Sequence, residues 1–333
     1  MKRELRITAI ILSLMILITM LNGCNRGTGP EDGRRGDGRF TVVCTVFPQY
    51  DWVRRILGDR ADSMDLTLLL SSRIDLHSYQ PSVDDIAKIS VCDLFIYIGG
   101  ESDGWAYDAL KGTVNKNMIV INLLDTLGNM VKEEEILEGM EDEEPEDDDA
   151  DEDGIEYDEH VWLSLRNAQV LCTEIANALA SLDSDNAGEY QNNLAAYMAK
   201  LQALDEEYKK MVNAAPVRTL LFGDRFPFRY LMDDYGLTPY AAFSGCSAET
   251  EASFDTIVFL AGKVDELGLS TVMVTESADQ AIARTIIANT KDKNQQILVL
   301  DAMQSVTSSD VRNGTTYLSI MESNLNVLKE ALR

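Results

Sequence analysis

Apolar residues recur along the chain in two rhythms. Short unbroken runs rich in β-branched side chains, at 40–46, 64–70, 94–98 and 118–123, alternate with stretches where apolar residues return every three or four positions. Trp52, Val53, Ile56 and Leu57 set one face of a helix over 48–58. Ser82, followed by Asp84 and Asp85, has the side chains of an N-cap and first turn and opens a helix over 82–91. Strands that read as continuous apolar runs, separated by helices, predict a parallel sheet covered on both faces.

The rhythm then lengthens. Val170, Leu171, Ile175 and Leu179 mark a helix over 167–182, and a longer helical stretch follows over 186–214. Tyr190, Leu194, Tyr197, Leu201, Leu204 and Tyr208 form its apolar stripe, and its length predicts a strut of about 40 Å at 1.5 Å per residue. Strands restart at 219–222, 239–243, 271–275 and 296–300, with helices over 226–234, 254–267, 278–290 and 316–332. The expected class is α/β: two similar domains, each a parallel sheet flanked by helices, joined by one long rigid helix. A length of 333 residues agrees with two domains and two cores.

The N-terminus changes where such a body resides. Lys2, Arg3 and Arg6 precede an apolar run over 7–21 that is short for a bilayer span, which reads as a secretory signal. Leu21-Asn22-Gly23-Cys24 resembles the lipobox of bacterial lipoproteins, which implies cleavage before Cys24 and lipid on its thiol. The expected layout is a signal peptide over 1–23, a Gly-rich charged tether over 24–39, an N-terminal lobe over 40–185, the linker helix over 186–215 and a C-terminal lobe over 216–333. Such a chain faces outward from the cytoplasmic membrane. Cys44, Cys92, Cys172 and Cys246 remain, and they are read as buried free thiols with no bridge assigned.

A net charge of -27 argues against a nucleic-acid partner, whose phosphates require Lys and Arg. Much of that charge lies in one run over 133–159, a self-repelling, solvated loop. In open parallel sheets ligands bind beyond the carboxyl ends of the strands. Applied here, that rule selects His77, Asp224 and Arg225, Glu276 and Asp301, with His160 just past the acidic run. The chain holds only two histidines, and both fall outside the predicted helices and strands, where a neutral imidazole is available to a transition metal.

Three stretches carry a resemblance that covers nearly all of the chain beyond Cys24. Asp75-Leu-His-Ser-Tyr-Gln-Pro-Ser82 is similar to an Asp-Pro-His-x-Tyr-x-Pro-Ser motif, and Asp158-Glu-His-Val-Trp-Leu163 to an Asp-Pro-His-x-Trp-Leu motif, each with its proline replaced and its histidine kept. The third, around Gly223-Asp-Arg-Phe-Pro-Phe-Arg-Tyr-Leu231, lacks the usual His or Glu, with Arg225 at the aligned place. The chain resembles the zinc and manganese substrate-binding lipoproteins of ABC importers. That resemblance implies the metal-type periplasmic binding protein fold and an interdomain cleft. Its ligands would be His77 and His160, with Asp301 after the last strand, and Asp224 replaces the missing third ligand because arginine stays protonated.

Zinc is the favoured cargo, with manganese the alternative, since two nitrogens with two oxygens fit tetrahedral zinc while oxygen also suits manganese. The same resemblance implies an ABC permease as partner, a lipid anchor on the outer face of the membrane, and a monomer. It also assigns Ser247–Ser253 and Glu276 to structural roles. In such proteins a His-rich or acidic loop often precedes the second histidine motif, the place taken here by the acidic run. The alternatives are a surface adhesin on this fold and a zinc hydrolase. The hydrolase has no support from a His-Glu-x-x-His pair or a Gly-x-Ser-x-Gly elbow, and no enzyme is expected.

Overall fold

The first four strands, β1 (Thr41–Cys44), β2 (Asp65–Leu68), β3 (Leu94–Tyr97) and β4 (Ile119–Asn122), pair in parallel in the order β2-β1-β3-β4. The second four, β5 (Thr219–Phe226), β6 (Thr238–Ser244), β7 (Thr271–Thr275) and β8 (Gln296–Leu300), repeat that order as β6-β5-β7-β8. The computed structural model describes residues 39–72, 74, 76–140, 156–246 and 251–333. The expected signal peptide, Cys24, all but residue 39 of the tether, and residues 141–155 of the acidic run lie outside them.

The apolar runs become strands because both sheet faces are covered. Val42, Val43, Phe95 and Ile96 are fully buried, and the register places Val42 beside Leu94 and Leu94 beside Ile119. In each sheet the chain reverses its direction of travel between the first and third strands, β1 and β3 or β5 and β7. Crevices open there at the carboxyl ends of the strands.

Between the sheets run α5 (Leu165–Leu182) and the 28-residue α6 (Ala187–Ala214). All six residues of the predicted stripe, Tyr190 to Tyr208, are buried. This helix packs on α1 (Phe47–Leu57), α5 and the terminal α11 (Tyr317–Ala331), and the Tyr208 hydroxyl donates to the Met321 carbonyl at 2.6 Å. Rather than bridging free space, it is packed into the body. The described part forms a single compact unit, Gly38–Arg333. Its larger apolar cluster joins the whole first lobe to the inner face of the second sheet through Phe222, Met273 and Leu300. A smaller cluster, with Leu221, Val272 and Val274, fills the outer face.

Ser82 caps α2 (Val83–Val91) as expected, its hydroxyl accepting from the Asp85 N–H. The remaining helices are α3 (Trp105–Lys111), α4 (Leu123–Leu127), α7 (Arg229–Tyr235), α8 (Phe254–Leu267), α9 (Ala281–Asn289) and α10 (Ser308–Arg312). Of these, α3, α4 and α10 have no counterpart in the apolar rhythm of the sequence.

One expectation fails at β5. The strand continues past Phe222 to Phe226, with its register shifted between Phe222 and Arg225, so Asp224 and Arg225 lie within it rather than after it. Gly223 permits this, because a Cβ there would sit 2.7 Å from the Ala283 Cα of α9. The four cysteines of the described chain are free thiols, and all but Cys246 are buried. Among the described residues no helix is long and apolar enough to cross a membrane.

Candidate metal centre

His77 stands in a single 3-10 turn, Leu76–Ser78, after β2, with the buried side chains of Leu76 and Tyr79 pinning that turn to the core. Its Nδ1 lies 2.7 Å from the Ser102 hydroxyl, in the turn Glu101–Asp103 that follows β3. Thus the crevice beside β1 receives one histidine and its partner from two different strand ends.

His160 precedes a second 3-10 turn, Val161–Leu163, and is fully buried. Asp158 Oδ1 accepts both its backbone N–H, at 2.8 Å, and its Nδ1, at 3.1 Å. Trp162, edge-on to the His160 ring at 5.4 Å, donates its indole N–H to the Ala302 carbonyl of the second lobe. Gly245, at the end of β6, closes the other side, where a Cβ would lie 3.1 Å from His160 Cε1. Both lobes therefore enclose this imidazole.

The two rings meet with centroids 5.5 Å apart and planes at 57°. His160 Nδ1 faces the Asp158 carboxylate, which can only accept and so makes Nδ1 the protonated nitrogen of that ring, while His77 Nδ1 faces a hydroxyl. Two imidazoles brought this close, one fully buried and one half-buried, are suited to a borderline cation such as zinc. The Gln304 amide nitrogen sits 2.6 Å from His160 Nε2 and donates to it.

Burial alone would lower the His160 pKa, but the Asp158 carboxylate on Nδ1, with Glu159 and Glu134 behind it, raises it above the ordinary imidazole value. Protonation at Nε2 is compatible with the same contact if the Gln304 amide turns over and its oxygen accepts. Proton and metal ion thus compete for one lone pair.

Asp301 directly follows β8. Its Oδ1 accepts the Met303 N–H at 2.7 Å, and its own N–H donates to Asn324. Burial first, and the Glu276 carboxylate second, push its carboxyl up to about 7. Asp301, Glu276 and Gln304 share the lining of a cavity of about 560 Å³. Glu276 accepts the N–H groups of Ala302 and Gln304 and so holds the loop that carries Gln304. Asp224 is turned to the end of β7, where its Oδ2 accepts both the N–H and the hydroxyl of Thr275.

Of the four ligands expected from sequence, the structure brings the two histidines together, and Gln304 rather than Asp301 is the second-lobe side chain that reaches His160. Among the described residues no three of His, Cys, Asp and Glu converge as a ready-made metal site. Gln304 escaped sequence reasoning because an amide is a weak ligand type, although it stands just beyond β8, where ligands of such sheets gather.

The stems of the acidic run flank this centre. Glu133 and Tyr157 form an antiparallel bridge, and the Cys246 N–H donates to Glu134. Burial, then Glu134, Asp158 and Glu159, push the Cys246 thiol well up, so it stays protonated and is a poor ligand.

The family model described as "ZnuA: Zinc-uptake complex component A periplasmic" matches residues 42–331. The zinc-binding lipoprotein AdcA of Streptococcus pneumoniae (strain TIGR4) is 32% identical over 298 residues, covering 89% of this chain and 56% of its own length. The chain thus spans about half the length of that relative. The high-affinity zinc uptake system protein ZnuA of Bacillus subtilis is 28% identical over 323 residues, 97% of this chain and 96% of its own. Among solved structures, the Zn(II)-bound ZnuA-like domain of Streptococcus pneumoniae AdcA superposes with a TM-score of 0.67 at 28% identity, over 88% of this chain and 99% of that one.

Proposed function

The chain belongs to the family of zinc-uptake complex component A, periplasmic proteins, and from that premise we propose that it captures zinc outside the cytoplasm and hands it to an ABC permease. The observation that carries this reading is the histidine pair: the only two imidazoles of the chain, 83 positions apart, meet with ring centroids at 5.5 Å. His77 and His160 supply the nitrogen ligands. Asp301 supplies a carboxylate oxygen from the second lobe, and Asp224 takes the fourth place by giving up Thr275.

Zinc is cargo here, bound and released without chemical change, and the protein is a binding component rather than an enzyme. Before the ion can reach His160, the Gln304 amide must leave Nε2, so capture includes a rearrangement of the loop after β8. The proposed anchor is lipid on Cys24, which would hold a monomer at the outer face of the cytoplasmic membrane. An overall charge of -27 supports the cation reading by drawing positive ions toward the surface.

The test is elemental analysis of the metal-stripped chain after equilibration with equal concentrations of zinc and manganese. The expected result is one zinc ion retained per chain. Retention of neither ion, or displacement of zinc by manganese, would contradict the proposal.

A further inference from the structure

Behind His77 stands a buried carboxylate that the ligand set does not use. Glu159 is 2% exposed, and its Oε1 accepts the Ser102 N–H at 2.9 Å. The Ser102 hydroxyl stands beside the same carboxylate, and its oxygen lies 2.7 Å from His77 Nδ1. A hydroxyl has one proton to give. If the carboxylate takes that proton, the hydroxyl oxygen is left to accept, and it accepts from His77 Nδ1–H.

The surroundings are shaped to admit this carboxylate. Gly100 lies against it, and a Cβ at that position would come within 2.2 Å of Oε1 and 2.5 Å of Cδ. Glu159 Oε2 is buried with no hydrogen-bond partner among the described residues. Keeping an incompletely bonded carboxylate out of water is costly, and the cost is unexplained if Glu159 only fills space. It does not complete a metal site with the histidines, since no such three-residue group is present among the described residues.

We propose that Glu159, acting through Ser102, is the positioning residue that locks His77 in the Nδ1–H tautomer and so keeps its Nε2 lone pair available to the cargo ion. The inference rests on His77 being a ligand. It makes the two histidines parallel in design: Asp158 fixes His160 directly, and the next residue, Glu159, fixes His77 through one hydroxyl. Adjacent carboxylates on one short segment thereby set the tautomers of both imidazoles. Without the carboxylate, the Ser102 hydroxyl is free to donate to Nδ1, which moves the proton of neutral His77 to Nε2 and blocks the ligand position.

The experiment reads the imidazole nitrogens of the metal-free full chain by NMR with 15N-labelled histidine, where two residues give two resolvable patterns. Wild type should show both rings as Nδ1–H tautomers. In Glu159→Ala, His77 should shift toward Nε2–H while His160 keeps its pattern, and zinc affinity should fall by about 10- to 100-fold. Glu159→Gln retains an oxygen that accepts from Ser102, and it should restore the tautomer and most of the affinity. Ser102→Ala leaves Glu159 in place and should weaken zinc binding while abolishing the tautomer preference of His77. An unchanged His77 pattern in both Glu159→Ala and Ser102→Ala would overturn the proposal. A wild type that fails to bind zinc would sink the transport reading instead, because the tautomers are measured without metal.

Discussion

His160 and Gln304 meet nitrogen to nitrogen at 2.6 Å, across the two lobes. The imidazole comes from the segment that ends the acidic run, and the amide from the loop that Glu276 holds beyond β8. This hydrogen bond occupies the lone pair that zinc needs. The second lobe therefore both closes the centre and competes with its cargo.

Replacing that amide by a carboxylate should favour the metal. Gln304→Glu removes the competing N–H donor and offers an oxygen ligand close to His160 Nε2. Zinc affinity should rise by about tenfold or more, as 1.4 kcal/mol corresponds to a factor of ten. Competition titration against a chromophoric chelator checks this, and weaker binding would contradict it.

Zinc binding should be proton-linked. The Asp158 carboxylate and its neighbours raise His160 above its ordinary value against the effect of burial, so acidification loads Nε2 with a proton that zinc must displace. Affinity should fall as pH drops through that raised value, with release of up to about one proton per zinc ion. Titration calorimetry in buffers of different ionisation enthalpy measures the number. For folding of the metal-free chain the sign is opposite: a histidine with a raised folded pKa contributes stability that is complete below the unfolded value of about 6.5 and is lost as pH rises through the folded one.

Asp301 predicts a trade between stability and binding. Its folded carboxyl is pushed up to about 7, above the unfolded value of about 3.9. Ionised Asp301 therefore costs the metal-free fold stability, and the loss develops as pH rises from about 4 through 7. Asp301→Asn should raise the melting temperature of the metal-free protein at pH 8, with the difference gone below about pH 4, while weakening zinc binding. Melting curves across that range, with and without zinc, test both halves. Asp224→Ala should show weakened binding together with loosening of the β7 end, through loss of its bonds to Thr275.

The long helix should matter for folding and not for the ion. Leu201 is fully buried in its stripe, and Leu201→Ala should cost about 2–5 kcal/mol of stability. Zinc affinity measured well below the melting temperature should be unchanged.

Much of the architecture was legible because it depends on local pattern. The strand at 271–275, the helix at 254–267 and the buried stripe from Tyr190 to Tyr208 follow from period and length alone. The short α3 and α4 were not, nor was the run of β5 beyond Gly223, which depends on the approach of α9. At the site, the histidines stood out by rarity and motif. Ser102 and Glu159 did not, because their relation to His77 exists only once the turns after β2 and β3 and the segment before α5 are folded together. The merging of the first lobe with the inner face of the second sheet was equally hidden, since a length argument counts cores without saying which faces they share.

X-ray absorption at the zinc edge of the loaded chain tests the central claim most directly. Two imidazole nitrogens at about 2.0–2.1 Å should be found, with oxygen completing the shell and no sulfur at about 2.3 Å. Fewer than two imidazoles, or a sulfur neighbour contributed by Cys246, would contradict the assignment of His77 and His160 as the pair that grips the ion.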